Sequence, residues 1–151
     1  MLRLTLASLH LLALGIGLGA IWTRALAFRG PLDRDGLRRL LQADAWWGLA
    51  GLLWIGTGLA RLFLATEKAT GYYLQNHVFW TKMALLVGLL ALELGPMVTL
   101  IRWRVGLARG ETPRTDRAGR FAAISFVQAG LVVLMLLAAA AMARGYGVAR
   151  G

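Results

Sequence analysis

The chain contains no cysteine. That absence removes disulfides, iron–sulfur clusters, thiolate zinc sites and cysteine nucleophiles together. Acidic residues are scarce, seven against seventeen Lys and Arg, and only two histidines, His10 and His77, are available to build any site. No GxGxxG, P-loop, HExxH or GxSxG pattern occurs, so the common signatures of soluble nucleotide-binding proteins, metalloproteases and serine hydrolases are missing. Polar sequence long enough for a separate soluble domain is missing too. What is present is apolar: 58% hydrophobic and 16% charged residues over 151 positions, with mean hydropathy +0.63. Such a chain is solvated by lipid rather than water.

A hydrocarbon core about 30 Å thick takes roughly 20 helical residues to cross. Apolar runs over about 2–28, 43–64, 78–101 and 121–143 meet that length, and with their connections they use the whole chain, 1–151, as one transmembrane domain. The expected fold is all-α, an integral membrane four-helix bundle. Run one is too long for a secretion signal, and Arg24, Arg29, Arg34, Arg38 and Arg39 behind it resist translocation. Those five arginines, with Arg102, Arg104, Arg109, Arg114, Arg117 and Arg120, lie on one side. Arg3, Arg61, Lys68, Lys82, Arg144 and Arg150 lie on the other. The positive-inside rule then puts the arginine-rich connections in the cytoplasm and both termini outside, in a bacterial inner membrane. The net charge of +10 therefore marks a membrane surface, and no nucleic-acid partner is expected.

Polar side chains within the runs fall on stripes. Asp44, Trp47, Gly51, Trp54, Gly58 and Arg61 recur every three or four residues, as do Lys82, Leu86, Leu89, Glu93 and Pro96. His10, Gly17 and Arg24 recur every seven, and Ser125 and Gln128 are neighbours at i, i+3. Depth divides these residues into two groups. Toward the cytoplasm, Arg24 with Asp44 and Glu93 forms an ion-pair or relay group, since opposite charges can pair where one alone is costly. In the outer half, Arg61 and Lys82 lie near the surface and His10 about 12 Å below it. With Trp54 and Trp80 they form a basic, aromatic cluster suited to an anionic planar ligand. His77, beside Asn76, reads as interfacial, and Tyr72 and Tyr73 as belt residues. The bland reading is that Arg24 locks helix ends and that Lys82 and Arg61 snorkel to headgroups. No group of metal ligands is apparent. Gly15-x-x-x-Gly19 and the Ala138–Ala141 run allow close helix approach, either within the bundle or to a second copy or another membrane protein.

From Leu9-His10 through Ala43-Asp44, Gly48, Thr57-Gly58-Leu59-x-Arg61, Lys68, Tyr72-Tyr73, Asn76, Phe79-Trp80-x-Lys82, Pro96 and Trp103-Arg104, the chain resembles the bacterial membrane family known as domain of unknown function 2214. The resemblance implies a four-helix membrane protein and supplies no established activity. A looser similarity joins His10 and Lys82 to HemJ-type protoporphyrinogen oxidases, and it implies haem. Those proteins carry a histidine eleven residues after the lysine, where this chain has Glu93. The expected function is that of an accessory or transporter-like membrane module. The alternative is a membrane redox protein binding haem b or a quinone-like ligand near His10, and a weaker third is a proton-coupled carrier using Asp44, Glu93 and Arg24.

Overall fold

The computed structural model describes residues 1–64 and 70–147. Lys68 and Arg150, counted above among the outward charges, lie outside the described residues. The elements are α1 (Leu2–Arg29), α2 (Arg34–Phe63), the short α3 (Thr70–Leu74), α4 (His77–Ala108) and α5 (Ala118–Ala143), and no strand occurs among the described residues. Three of them, α1, α4 and α5, are long and apolar enough to cross a membrane. The 30 residues of α2 have the length, but its glycines, tryptophans and flanking charges leave it less apolar.

Helix α2 starts well before the Ala43 expected from hydropathy. Asp33 caps it, its carboxylate accepting from the Gly36 amide at 2.8 Å, and Asp35 occupies the first turn, where an acid complements the helix dipole. Arg34, Arg38 and Arg39 are therefore helical, and the first connection shrinks to residues 30–33. A side chain at Gly36 would collide with the Pro31 carbonyl, so this corner closes only on glycine. Helix α4 likewise continues past Ile101 and carries Arg102 and Arg104 into its last turns.

The core lies in three layers. Phe28, Leu37, Leu40, Leu100, Trp103 and Phe121 fill the end bearing the arginine-rich connections. Ala20, Ile21, Trp47, Leu89, Ala129 and Val132 fill the middle, and Ala13, Trp54 and Met135 the other half. Helix α1 packs on α2 and α5, and α5 on α4. The distribution of polarity is inverted relative to a water-soluble protein. Arg24, Asn76, Ser125 and Gln128 are fully buried, while Leu52 is 73% exposed and Val87 65%. Apolar side chains on the outside cost nothing when the solvent is hydrocarbon, and polar ones gain by turning inward. Gly15 and Gly19 are both exposed, and a side chain at either would meet nothing within 4 Å among the described residues, so they do not bring these helices together.

At the end opposite the arginines, Asn76 is a buried junction rather than a wet loop residue. Its Oδ1 accepts from the Val78 and Phe79 amides at 2.8 and 3.3 Å, capping α4, and its Nδ2 donates to the Tyr146 carbonyl at 3.0 Å. The His77 amide donates to the Gly147 carbonyl at 3.0 Å. Gly147 has φ 88°, and any side chain there would strike Asn76 and Val78. One amide side chain thus caps a helix and fastens the turn after α5. Asn76→Ala should lower stability in detergent by about 2 kcal/mol, the sum of a cap and one hydrogen bond. Asn76→Asp keeps the cap, loses the donor and should fall between. Thermal unfolding indistinguishable among the three proteins would contradict the junction.

Candidate functional site

Arg24 is completely buried, and all five of its N–H groups have acceptors. Nη1 donates to Asp44 Oδ1 at 2.9 Å and Glu93 Oε1 at 2.7 Å. Nη2 donates to Glu93 Oε2 at 2.7 Å and Gln128 Oε1 at 2.9 Å, and Nε to Ser125 Oγ at 3.3 Å. Glu93 is held as a fork, the geometry in which guanidinium and carboxylate match best. The acceptors come from α2, α4 and α5, so this one side chain on α1 touches every other long helix. A second layer fixes the acceptors. Gln128 Nε2 donates to Glu93 Oε2 at 2.7 Å and to the Leu89 carbonyl at 3.3 Å, and Arg104 Nη2 donates to Asp44 Oδ2 at 2.9 Å and to the Leu41 carbonyl at 2.7 Å. Trp47 lies beneath the guanidinium, its ring centroid 5.9 Å from Cζ. Two arginines and two carboxylates balance, with no charge left over.

The residues around His10 are arranged differently. The Thr57 hydroxyl lies 2.6 Å from the Leu53 carbonyl, which takes its single hydrogen, so Thr57 Oγ1 accepts from His10 Nδ1 at 2.9 Å. The imidazole is then protonated on Nδ1, and Nε2 keeps its lone pair. Gly58 makes the approach possible: a Cβ there would come within 3.2 Å of His10 Cε1. The His10 ring stands 5.7 Å from that of Trp54, and Lys82 Nζ lies 6.0 Å from the Trp54 ring. Trp54 itself is buried, and its indole Nε1 has no acceptor among the described residues. Arg61 follows Thr57 by one turn and lies within electrostatic reach of His10 and Lys82. Trp80 does not join them. It is 55% exposed, and its indole donates to the Leu74 carbonyl at 2.9 Å. His77 is exposed at the start of α4. Among the described residues, no three His, Asp or Glu side chains gather as a metal site.

Two participants carry little signal in the sequence. Arg104 lies past the apolar run that ends at Ile101 and reads as part of the connection, whereas α4 extends through it to Ala108. Thr57 is signalled only by its spacing, one turn before Arg61 on the interior stripe. Glu93, which occupies the place of the second histidine in HemJ-type proteins, is fully engaged by Arg24 and Gln128. The residues present therefore do not fit a haem ligated from both sides.

A family model described as Predicted membrane protein (DUF2214) matches residues 2–147. No curated protein and no solved structure matches the chain.

The Arg24 network sets a graded expectation. Glu93→Ala leaves the guanidinium with two donors unmet and should cost on the order of 3 kcal/mol, whereas Glu93→Gln retains an acceptor and should cost less. Gln128→Leu, which removes one neutral partner, should cost about 1–2 kcal/mol. Chemical unfolding in detergent reads the order, and equal stabilities for Glu93→Ala and wild type would overturn it.

Proposed function

The chain belongs to the DUF2214 family of predicted membrane proteins, and from that premise we propose that it is a multi-pass protein of the bacterial inner membrane, acting as an accessory or transporter-like module. In this reading all four long helices cross as one bundle, α2 shielded by its neighbours, with both termini extracytoplasmic. The inverted polarity of the surface supports it, as does the excess of arginine at the end holding the α1–α2 and α4–α5 connections. The observation that carries the functional part is the saturation of Arg24. Asp44 and Glu93 are committed to a charge-balanced brace, which favours a fixed partition in the inner half over the relay of a proton-coupled carrier. The working surface is then the outer half and the lipid-facing exterior, where a partner membrane protein or a second copy would meet it.

A second reading, a quinone-like ligand or haem b near His10, is favoured by two features: the lone pair that the Thr57 contact leaves on His10 Nε2, and a Trp54 indole N–H without an acceptor among the described residues. A bound oxygen-bearing ligand would satisfy the donor, with Lys82 beside it, and His10 would accept a hydrogen bond or ligate singly.

Orientation is tested without background, because the chain has no cysteine. Gln75→Cys should react with an impermeant thiol reagent on intact cells and Thr112→Cys only after lysis; the reverse would invert the topology. Ligand class is tested by colour. If haem binds, the purified protein supplied with haem shows a Soret band that His10→Ala abolishes and His77→Ala keeps. Absence of the band after reconstitution removes haem from the second reading.

A further inference from the structure

A cavity lies away from His10, at the corner where α1 passes into α2. It measures about 250 Å³ and is lined by Thr23, Leu26, Ala27, Gly30, Pro31, Gly36 and Arg39. The corner stays open because Gly30 and Gly36 contribute no side chains and Gly36 is held against the Pro31 carbonyl. Among its lining side chains, one hydrogen-bond donor is uncommitted. The Thr23 hydroxyl is committed to the Gly19 carbonyl at 2.8 Å, and the Asp33 carboxylate at the rim to the Gly36 amide. Arg39 is exposed and makes no hydrogen bond or ion pair with the described residues, although Asp35 stands one turn before it. Arg29, also nearby in sequence, lies over the Phe126 ring at 4.5 Å.

We propose that this corner is a binding site for an anionic phospholipid, whose phosphate is taken by Arg39 and whose first stretch of acyl chain enters the cavity. Three features select that occupant. The walls are mostly apolar, and Leu26 among them is 51% exposed, so part of the lining lies on the surface that hydrocarbon would cover. It sits at the last turns of α1 and the first turns of α2, the depth at which headgroups lie when α1 spans the bilayer. Its volume is below the roughly 300 Å³ of pockets that enclose a whole drug-sized ligand, which suits a chain inserted end-on better than a ring cofactor. The charge balance then favours an anionic over a zwitterionic lipid. Arg34, Arg38 and Arg39 face outward here against Asp33 and Asp35, and a guanidinium binds phosphate through paired donors.

Native mass spectrometry of the full chain, released from detergent containing equal phosphatidylglycerol and phosphatidylcholine, tests the site. Wild type should retain phosphatidylglycerol about fivefold over phosphatidylcholine, the selectivity one cation near an anionic surface supplies. Arg39→Gln should abolish the preference by removing the phosphate contact. Thr23→Phe, at an exposed position on the cavity wall, should abolish it by filling the space. Arg38→Gln, with the same charge loss outside the cavity, should leave it intact, and all variants should unfold at the wild-type temperature. The proposal fails if wild type retains both lipids equally. It fails also if Arg38→Gln matches Arg39→Gln, or if Thr23→Phe binds as wild type does, since either result reduces the effect to diffuse attraction by the arginines.

Discussion

A fully buried guanidinium must place every one of its hydrogens on an acceptor, and that requirement organises this protein. An arginine taken out of water without compensation is among the most costly groups a membrane interior can hold. Arg24 avoids the cost only where α2, α4 and α5 bring Asp44, Glu93, Gln128 and Ser125 to within hydrogen-bond distance together. Small shifts of any helix along its axis would break at least one contact. Apolar packing in a lipid-solvated protein has little power to choose between registers, because a leucine is as well solvated outside as inside. Directional bonds to Arg24 supply the choice, and the packed layers above and below it follow.

The two halves of the interior thereby differ in kind. Around Arg24, donors and acceptors match one for one, and charges cancel. Around Trp54, like charges gather and the indole N–H has no acceptor among the described residues. A closed network resists change, whereas an open one leaves affinity for something else. Placing both on one short set of helices lets the first hold the second in shape.

Much of this arrangement is legible from spacing. Arg24, Asp44 and Glu93 fall on interior stripes at matching depth, and the structure sets all three in contact. The extents of α1 and α5 follow directly from apolar length. The start of α2 does not, because hydropathy reads Arg34, Arg38 and Arg39 as loop while the Asp33 cap makes them helix. Arg104 was hidden for the same reason, since a charged helix end and a charged loop look alike to an average over residues. Trp80, expected beside His10 and Lys82, stands two residues before Lys82 yet does not share its face. Residues two apart on a helix point some 200° apart, and the stripe bearing Lys82 turns Trp80 outward. The burial of Asn76 had a local signal, an asparagine just ahead of a long apolar run. Its second bond, to the turn after α5, is a tertiary fact that no local pattern carries.

The sequence separations within the Arg24 network also impose a timetable on synthesis. Asp44 follows the arginine by 20 residues, Glu93 by 69, and Ser125 and Gln128 by 101 and 104. As the chain emerges, α1 carries a cation with no acceptor of its own kind nearby, and the arrival of α2 supplies the first carboxylate. The α1–α2 hairpin is thus the earliest unit able to neutralise itself. Two donors then wait for α4, and the last two for α5, so the interior becomes fully bonded only when the final helix is in place. Until α5 has docked, the interior holds an arginine with donors still unmet, so the bundle gains its full internal bonding in one last step.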